Sequence, residues 1–317
     1  MVVESRADWM SSMASGLGHK EGYCLHLANG QGWRILLNDG VNSWVAKLAS
    51  IMELGACDRN GYPRLVFIWR DSGKESWRDT IYHLNTIISE DLPVSGWKAR
   101  NLVWLKVWYH SDVPDVICEI GPQDEGEQDV LRMRLSLQPI YQRAQDSGGL
   151  PLHAALVEWN ATGILLAASA NTGKSTCCHR LRNPWKTLCD DETLVIMDNQ
   201  QQYLAHPFPT WSDYLVKGFN RTWNVQHHVP ISAIFFLEQA RVDEVLPMGQ
   251  GQAALLAYQS AIQVCHRNLM NLNREQMRIH RRKLFENACD LTKLIPAFKL
   301  KVSLVGQFWK EMERVLS

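Results

Sequence analysis

Apolar positions along this chain follow two periods, and the switches between them outline its elements. Between Cys24 and Leu37, short apolar runs flank Asn29-Gly30-Gln31-Gly32, the pattern of two strands around a turn. From Ser43 to Leu54 the spacing of Trp44, Leu48, Ile51 and Met52 is helical, and it stops near Gly55. Arg64–Arg70, Leu102–Tyr109 and Val116–Ile120 read as strands, and the acidic, turn-rich stretch from Gly121 to Asp129 reads as a loop. Leu131–Leu137 alternates like a strand. Pro139–Gln145 reads as a helix that stops at Ser147-Gly148-Gly149.

The second half opens with a strand, Leu152–Glu158, a turn at Asn160–Gly163 and a buried strand, Ile164–Ala168. A small-residue loop, Ser169–Gly173, leads into a helix from Lys174 to about Arg182, closed by Pro184. Thr187–Met197 is extended, turns at Asp198-Asn199 and returns through Tyr203–Ala205. Ile231–Glu238 is a further strand. Helical spacing then covers Gly251–His266, Asn273–Leu294 and Gly306–Val315, with a last strand over Phe298–Val305. The pattern predicts an α/β (α+β) protein with a mixed sheet and C-terminal helices. It divides into a Trp-rich, β-containing part, residues 1–130, and a second domain, residues 131–317.

Composition narrows the function classes. With 317 residues, 46% hydrophobic and 21% charged, the chain reads as an ordinary globular protein. Lys+Arg (33) balances Asp+Glu (33), which argues against nucleic acid as a partner. No run approaches the ~20 apolar residues of a spanning helix, and the N-terminus lacks a signal-peptide core, so the expectation is no membrane and a cytoplasmic protein. The halves differ: residues 1–150 carry 15 basic and 19 acidic residues, and residues 151–317 carry 18 and 14, a bias that favours an anionic ligand in the second half. Eight of the 13 Trp precede position 110, which suits either a packed β-rich core or a peptide-binding surface. The eight scattered cysteines read as buried free thiols. Cys177-Cys178-His179 is not a metal site, because adjacent helical residues diverge by about 100°.

The chemistry concentrates in GILLAASANTGKSTCCHRL. A strand, a small-residue loop, Gly173-Lys174-Ser175-Thr176 and a helix form the layout of a phosphate cradle. Gly173 permits close backbone approach, Lys174 reaches the β- and γ-phosphates, and the Ser175 hydroxyl binds Mg²⁺. Sixteen residues after Lys174 comes Asp190-Asp191. Adjacent acids on a strand face opposite ways, so one can serve a metal while the other positions a nucleophile, the division that phosphoryl transfer requires.

These residues, with Leu152-His153-Ala154-Ala155-Leu156-Val157 before them, resemble the HPr kinase/phosphorylase-like P-loop kinases, which share a core with phosphoenolpyruvate carboxykinase. The short gap between lysine and acidic pair carries the resemblance. The end, Phe285 through Trp309, is similar to HPr-kinase-related proteins found beside peptide-modifying enzymes, above all the SynChlorMet cassette C protein group of clusters with radical SAM enzymes. The resemblance covers roughly residues 135–317 and implies an HPr kinase-like P-loop core. It implies that Asn171, Thr172, Gly173, Lys174, Ser175 and Thr176 bind the phosphates of ATP. It further implies that Asp190 is the base, that Asp191 serves Mg²⁺ with Ser175, and that His153 lies near the transferred phosphate. The implied activity is phosphorylation of a Ser or Thr hydroxyl on a peptide or small protein, with radical SAM enzymes as partners. The family loop G-x-S-G-x-G-K-[ST] is altered here to Ala168-Ser169-Ala170-Asn171-Thr172-Gly173-Lys174-Ser175, which leaves a non-catalytic ATP-binding accessory protein as the alternative. His206 and Arg221 are further candidates for the same cleft. The basic run Arg278, His280, Arg281, Arg282, Lys283 reads as a solvated helix face or an acidic-ligand site.

Overall fold

Two mixed sheets organise the chain in a computed structural model that describes residues 22–36, 42–57, 61–69, 77–88, 92–102, 105–121, 127–169, 172–212, 214, 221–269 and 272–317. The first contains β1 (Tyr23–His26), β2 (Gly32–Leu36), β3 (Gly55–Ala56), β4 (Arg64–Trp69), β5 (Lys98–Leu102), β6 (Leu105–Tyr109) and β7 (Val116–Ile120). Their order is β3-β1-β2-β4-β7-β6-β5. The three central strands β2, β4 and β7 are parallel, and the outer ones are antiparallel. Central parallel strands need cover on both faces, and β4 shows it. Leu65 and Phe67 share a core with Trp44 and Leu48 of α1 (Asn42–Ile51), while Val66 and Ile68 pack with Ile81 and Leu84 of α2 (Trp77–Ile88).

Helices α3 (Glu127–Ser136) and α4 (Gln138–Asp146) lead to the second sheet. Its strands are β8 (Leu150–Leu152), β9 (Ala154–Trp159), β10 (Thr162–Ala167), β11 (Lys186–Cys189), β12 (Glu192–Met197), β13 (Tyr203–Phe208), β14 (Val229–Gln239), β15 (Glu244–Pro247) and β16 (Ala297–Val302). The order runs β11-β9-β10-β14-β13-β12-β8, with β16 beside β14 and β15 beside β16. The strands β10, β14 and β16 are mutually parallel. Along β10 the burial alternates between faces. Leu165 joins the large core, and Ile164 and Leu166 join a second one with Cys177, Phe308 and Met312. The covering helices are α5 (Lys174–Arg180), α6 (Gln250–Leu269), α7 (Arg274–Leu294) and α8 (Phe308–Leu316). The class is mixed α/β, as the pattern predicts. The large core runs without a break from Tyr23 to Ile295, and backbone bonds such as Trp223 N–H to Ile51 O (2.8 Å) tie the sheets together.

Four expectations are corrected. Residues 131–136 belong to helix α3 and not to a strand, and Leu137 joins it to α4. Leu131, Met133, Leu135 and Leu137 alternate, but Val130, Met133 and Leu137 also repeat at helical spacing, and this second set is buried. The extended run Thr187–Met197 is broken at Asp190-Asp191, because β11 pairs with β9 while β12 pairs with β8 and β13. Leu102–Tyr109 contains the end of β5 and the whole of β6. Finally, Cys24 and Cys57 are disulfide-bonded and not free thiols, since the β1–β3 pairing brings their Cα atoms to 4.6 Å. The other six cysteines are free, and five are buried. The described tryptophans of the first half are packed rather than displayed: Trp33, Trp44 and Trp97 are buried, and Trp77 stacks on Trp108.

Candidate active site

Strand register assembles the site. Asn160 and Ala161 both have positive φ (50° and 60°), which makes the two-residue turn that suits a β9–β10 hairpin. The hairpin pairs Ala154 with Ala167, so the residues just outside it, His153 and Ala168, come side by side at the start of the phosphate loop. On the neighbouring ladder Thr193 lies opposite Leu152, which carries Asp191 and Glu192 alongside His153. The Thr193 hydroxyl pins this register by donating to Ala154 O at 2.9 Å.

Three predicted residues meet at one nitrogen. Lys174 Nζ lies 2.9 Å from His153 Nε2 and donates to Ala168 O at 3.3 Å. Asp191 Oδ1 lies 2.9 Å from the same Nε2. His153 Nδ1 faces Gln263 Oε1 on α6, an acceptor that fixes a proton on Nδ1. Unprotonated, Nε2 accepts from Lys174; protonated, it donates to Asp191. Burial raises the Asp191 carboxyl, but the His153 hydrogen bond and the charges of His153, Arg134 and Lys174 outweigh it and hold the group below its usual value. Burial pulls Lys174 below the usual lysine value despite the opposing charges of Asp191, Cys178 and Asp190.

Asp190 is buried and held by other partners. Its Oδ1 accepts from Thr210 Oγ1 at 2.6 Å and from Arg221 Nη1 at 3.3 Å. The two acids therefore have separate partners, although they lie at the break between β11 and β12 and not on a strand. Arg221 also stacks its guanidinium 5.0 Å over Trp223. Gly173 sits in the left-handed region (φ 107°), and a Cβ built there meets nothing within 4 Å. The loop is further tied by Thr172 N–H to Ser169 O (3.3 Å) and by Gln239 Nε2 to Thr172 O (3.3 Å). Ser175 and Thr176 are exposed on the first turn of α5. Asn171 lies outside the described residues.

His206 does not line this cleft. Its Nδ1 donates to Val225 O (2.8 Å) and its Nε2 accepts from Ala28 N–H (3.1 Å), so it fastens the second sheet to the β1–β2 turn. Burial pushes it down to about 4. In the basic run on α7, Arg278, Arg281 and Arg282 are solvated, with Arg278 paired to Glu275 and Arg282 to Glu286, whereas His280 turns inward and burial pushes it down to about 4. Cys177 and Cys178 are buried in the smaller core, and among the described residues no three His, Cys, Asp or Glu side chains form a metal cluster.

Sequence reasoning missed three supporting groups. Arg134 forms an ion pair with buried Glu192, which also accepts from Tyr141 OH at 3.0 Å. This unit lies behind Asp191, and Arg134 contributes to its low value. Gln263 and Thr210 complete the shell around His153 and Asp190. The helical period of 127–137 was the one available signal for Arg134, and no local pattern marks the other two.

A family model described as SynChlorMet cassette protein ScmC matches residues 116–317. No curated protein matches the chain. Among solved structures, the Hpr(Ser) kinase/phosphatase from Coxiella burnetii aligns with a TM-score of 0.27 and 12% identity, covering 52% of this chain and 87% of that one. A likeness that loose carries no argument.

Proposed function

The chain belongs to the SynChlorMet cassette protein ScmC family, and from that premise we propose that it is an ATP-dependent kinase acting on a Ser or Thr hydroxyl of a peptide or small protein. We place it in the cytoplasm, in a peptide-modification pathway alongside radical SAM enzymes. One observation carries the reading: Lys174, His153 and Asp191 converge within hydrogen-bond distance at the exit of a strand–loop–helix unit.

The residues present fit Mg²⁺-ATP. Gly173 leaves open space at the loop, Lys174 supplies a cation, and Ser175 and Asp191 offer an exposed hydroxyl and an ionised carboxylate that would hold Mg²⁺. When bound, Mg²⁺-ATP supplies the transferable phosphoryl group and the cation that neutralises it. Lys174 exchanges His153 and the Ala168 carbonyl for phosphate oxygens. Freed of Lys174, His153 remains oriented by Gln263 and keeps Asp191 ionised. Asp190, with Oδ1 fixed by Thr210 and Arg221, offers Oδ2 to the acceptor hydroxyl. With Mg²⁺-ATP bound, Asp190 would take the hydroxyl proton as the acceptor oxygen bonds to the γ-phosphorus and ADP leaves.

The test is phosphopeptide formation from Mg²⁺-ATP and a pooled library of peptides that carry serine or threonine. Asp190→Asn removes the product and leaves ATP binding intact; unchanged phosphorylation removes Asp190 from its role. Ala168 and Asn171, where the family loop carries glycine, and Ala170, where it carries serine, favour a second reading as an ATP-binding accessory. Stoichiometric ATP binding with no phosphopeptide would replace the kinase reading with that one.

A further inference from the structure

Beside the catalytic cluster lies a cleft of about 250 Å³ between the phosphate loop and α6. One wall is Ala167, Ala168 and Ser169, and another is Phe236, Leu237 and Glu238 of β14. The third is one face of α6: Gln252, Leu256, Gln259, Ser260 and Gln263, spaced i, i+4, i+7, i+8 and i+11. Two of its walls are the groups that hold the reacting side chains, because Ala168 O accepts from Lys174 and Gln263 holds His153. None of residues 172–176 lines it. It is also smaller than the ~300–1,000 Å³ pockets that take drug-sized ligands.

We infer that this cleft is the acceptor site and that it takes an extended, uncharged peptide segment bearing the hydroxyl to be modified. Its only charged lining groups among the described residues, Glu238 and Lys299, neutralise each other at 2.9 Å. Everything else polar in it is a hydroxyl or an amide. Gln252 and Gln259 have no hydrogen-bond partner among the described residues, and the buried Ser260 hydroxyl has none either. Each glutamine amide offers donors and an acceptor, the complement of a peptide backbone. The row from Gln252 to Gln263 spans about 16 Å of helix, the length of about five extended residues. Leu256 and Phe236 supply apolar contact between the amides. The segment's hydroxyl then lies at the end lined by Ala168 and Gln263, the groups bonded to Lys174 and His153. The inference rests on the kinase reading only in calling the bound segment an acceptor.

A pooled library of acetylated, amidated pentapeptides with central serine and varied flanks tests it, by retention on the immobilised full chain without nucleotide and mass-spectrometric readout. The wild type enriches peptides with uncharged flanks over acidic and basic ones. The double variant Gln252→Ala/Gln259→Ala retains them about tenfold less well, as loss of two hydrogen bonds implies. Leu256→Arg, which places a charged side chain in the cleft, gives the same loss. No retention, enrichment of charged flanks, or retention that survives both variants overturns the inference. Thermal stabilisation by Mg²⁺-ATP is measured in parallel. Retention without stabilisation sinks the kinase reading and keeps the peptide cleft, whereas stabilisation without retention sinks the cleft alone.

Discussion

In the first sheet the buried Arg64 guanidinium grips Asp115 through two bonds of 2.9 Å, and the Arg64 backbone N–H adds a third at 2.7 Å. In the second sheet Lys174 and Asp191 compete for a single imidazole nitrogen, and Asp190 is held through Oδ1 alone. Both regions bury charge beneath parallel strands. One pairs it fully, in the manner of a structural bridge; the other keeps each charge able to change partner. That difference separates a site from a scaffold. A bidentate pair gains nothing from a ligand, whereas a lysine resting on an imidazole nitrogen and one carbonyl gains charged partners when phosphate arrives.

The largest effect tests the second region. Asp190→Asn lowers phosphoryl transfer by about 10²–10⁴-fold, the worth of a positioned general base, while the nucleotide still stabilises the fold. Equal loss of nucleotide stabilisation would make Asp190 a binding group instead. On the first region, Asp115→Ala removes the carboxylate that the buried Arg64 guanidinium and backbone N–H share, and costs about 3–5 kcal/mol of unfolding free energy, with no change in nucleotide affinity. A cost under about 1 kcal/mol, the range of exposed pairs, would erase the contrast between the sheets.

The third prediction concerns the contact between the sheets. His206 is held neutral, with its value pushed down to about 4 from an unfolded value near 6.5. A depressed histidine contributes stability that is full above pH 6.5 and is lost as the pH falls toward 4. The difference corresponds to about 3 kcal/mol. Urea unfolding across that window should show the loss, and His206→Gln should remove one proton from the uptake. A flat profile in the wild type would contradict the assignment. The smallest effect belongs to the loop: Gly173→Ala forces a Cβ into the left-handed region and costs about 1 kcal/mol, read as a lower melting temperature. Unchanged melting would show that the loop relaxes.

Much of the site was legible because it is local in sequence or fixed by simple pairing. The strand, loop, lysine and acidic pair follow from spacing; His153 was expected only from the family resemblance, and the β9–β10 register, which sets Ala154 against Ala167, is what brings it beside the loop. What escaped depends on distant packing. Gln263 reaches His153 from a helix that begins almost a hundred residues later, and no periodicity marks it. Arg134 was hidden by Leu131–Leu137, whose alternation satisfies a strand while its neighbours satisfy a helix. The Cys24–Cys57 bond depends on β3, only two residues long and too short to leave a pattern. His206 was misplaced for a related reason. A histidine after a returning strand has the same local sequence whether it faces a cleft or, as here, the backbone of another sheet.

The central claim is that Lys174 is held ready for a phosphate. Thermal unfolding with and without Mg²⁺-ATP, on the wild type and on Lys174→Ala, tests it most directly. At 100 times Kd, the nucleotide stabilises the wild type by about 2.7 kcal/mol and leaves the variant unmoved. Equal stabilisation of both proteins, or none of either at millimolar Mg²⁺-ATP, would contradict it.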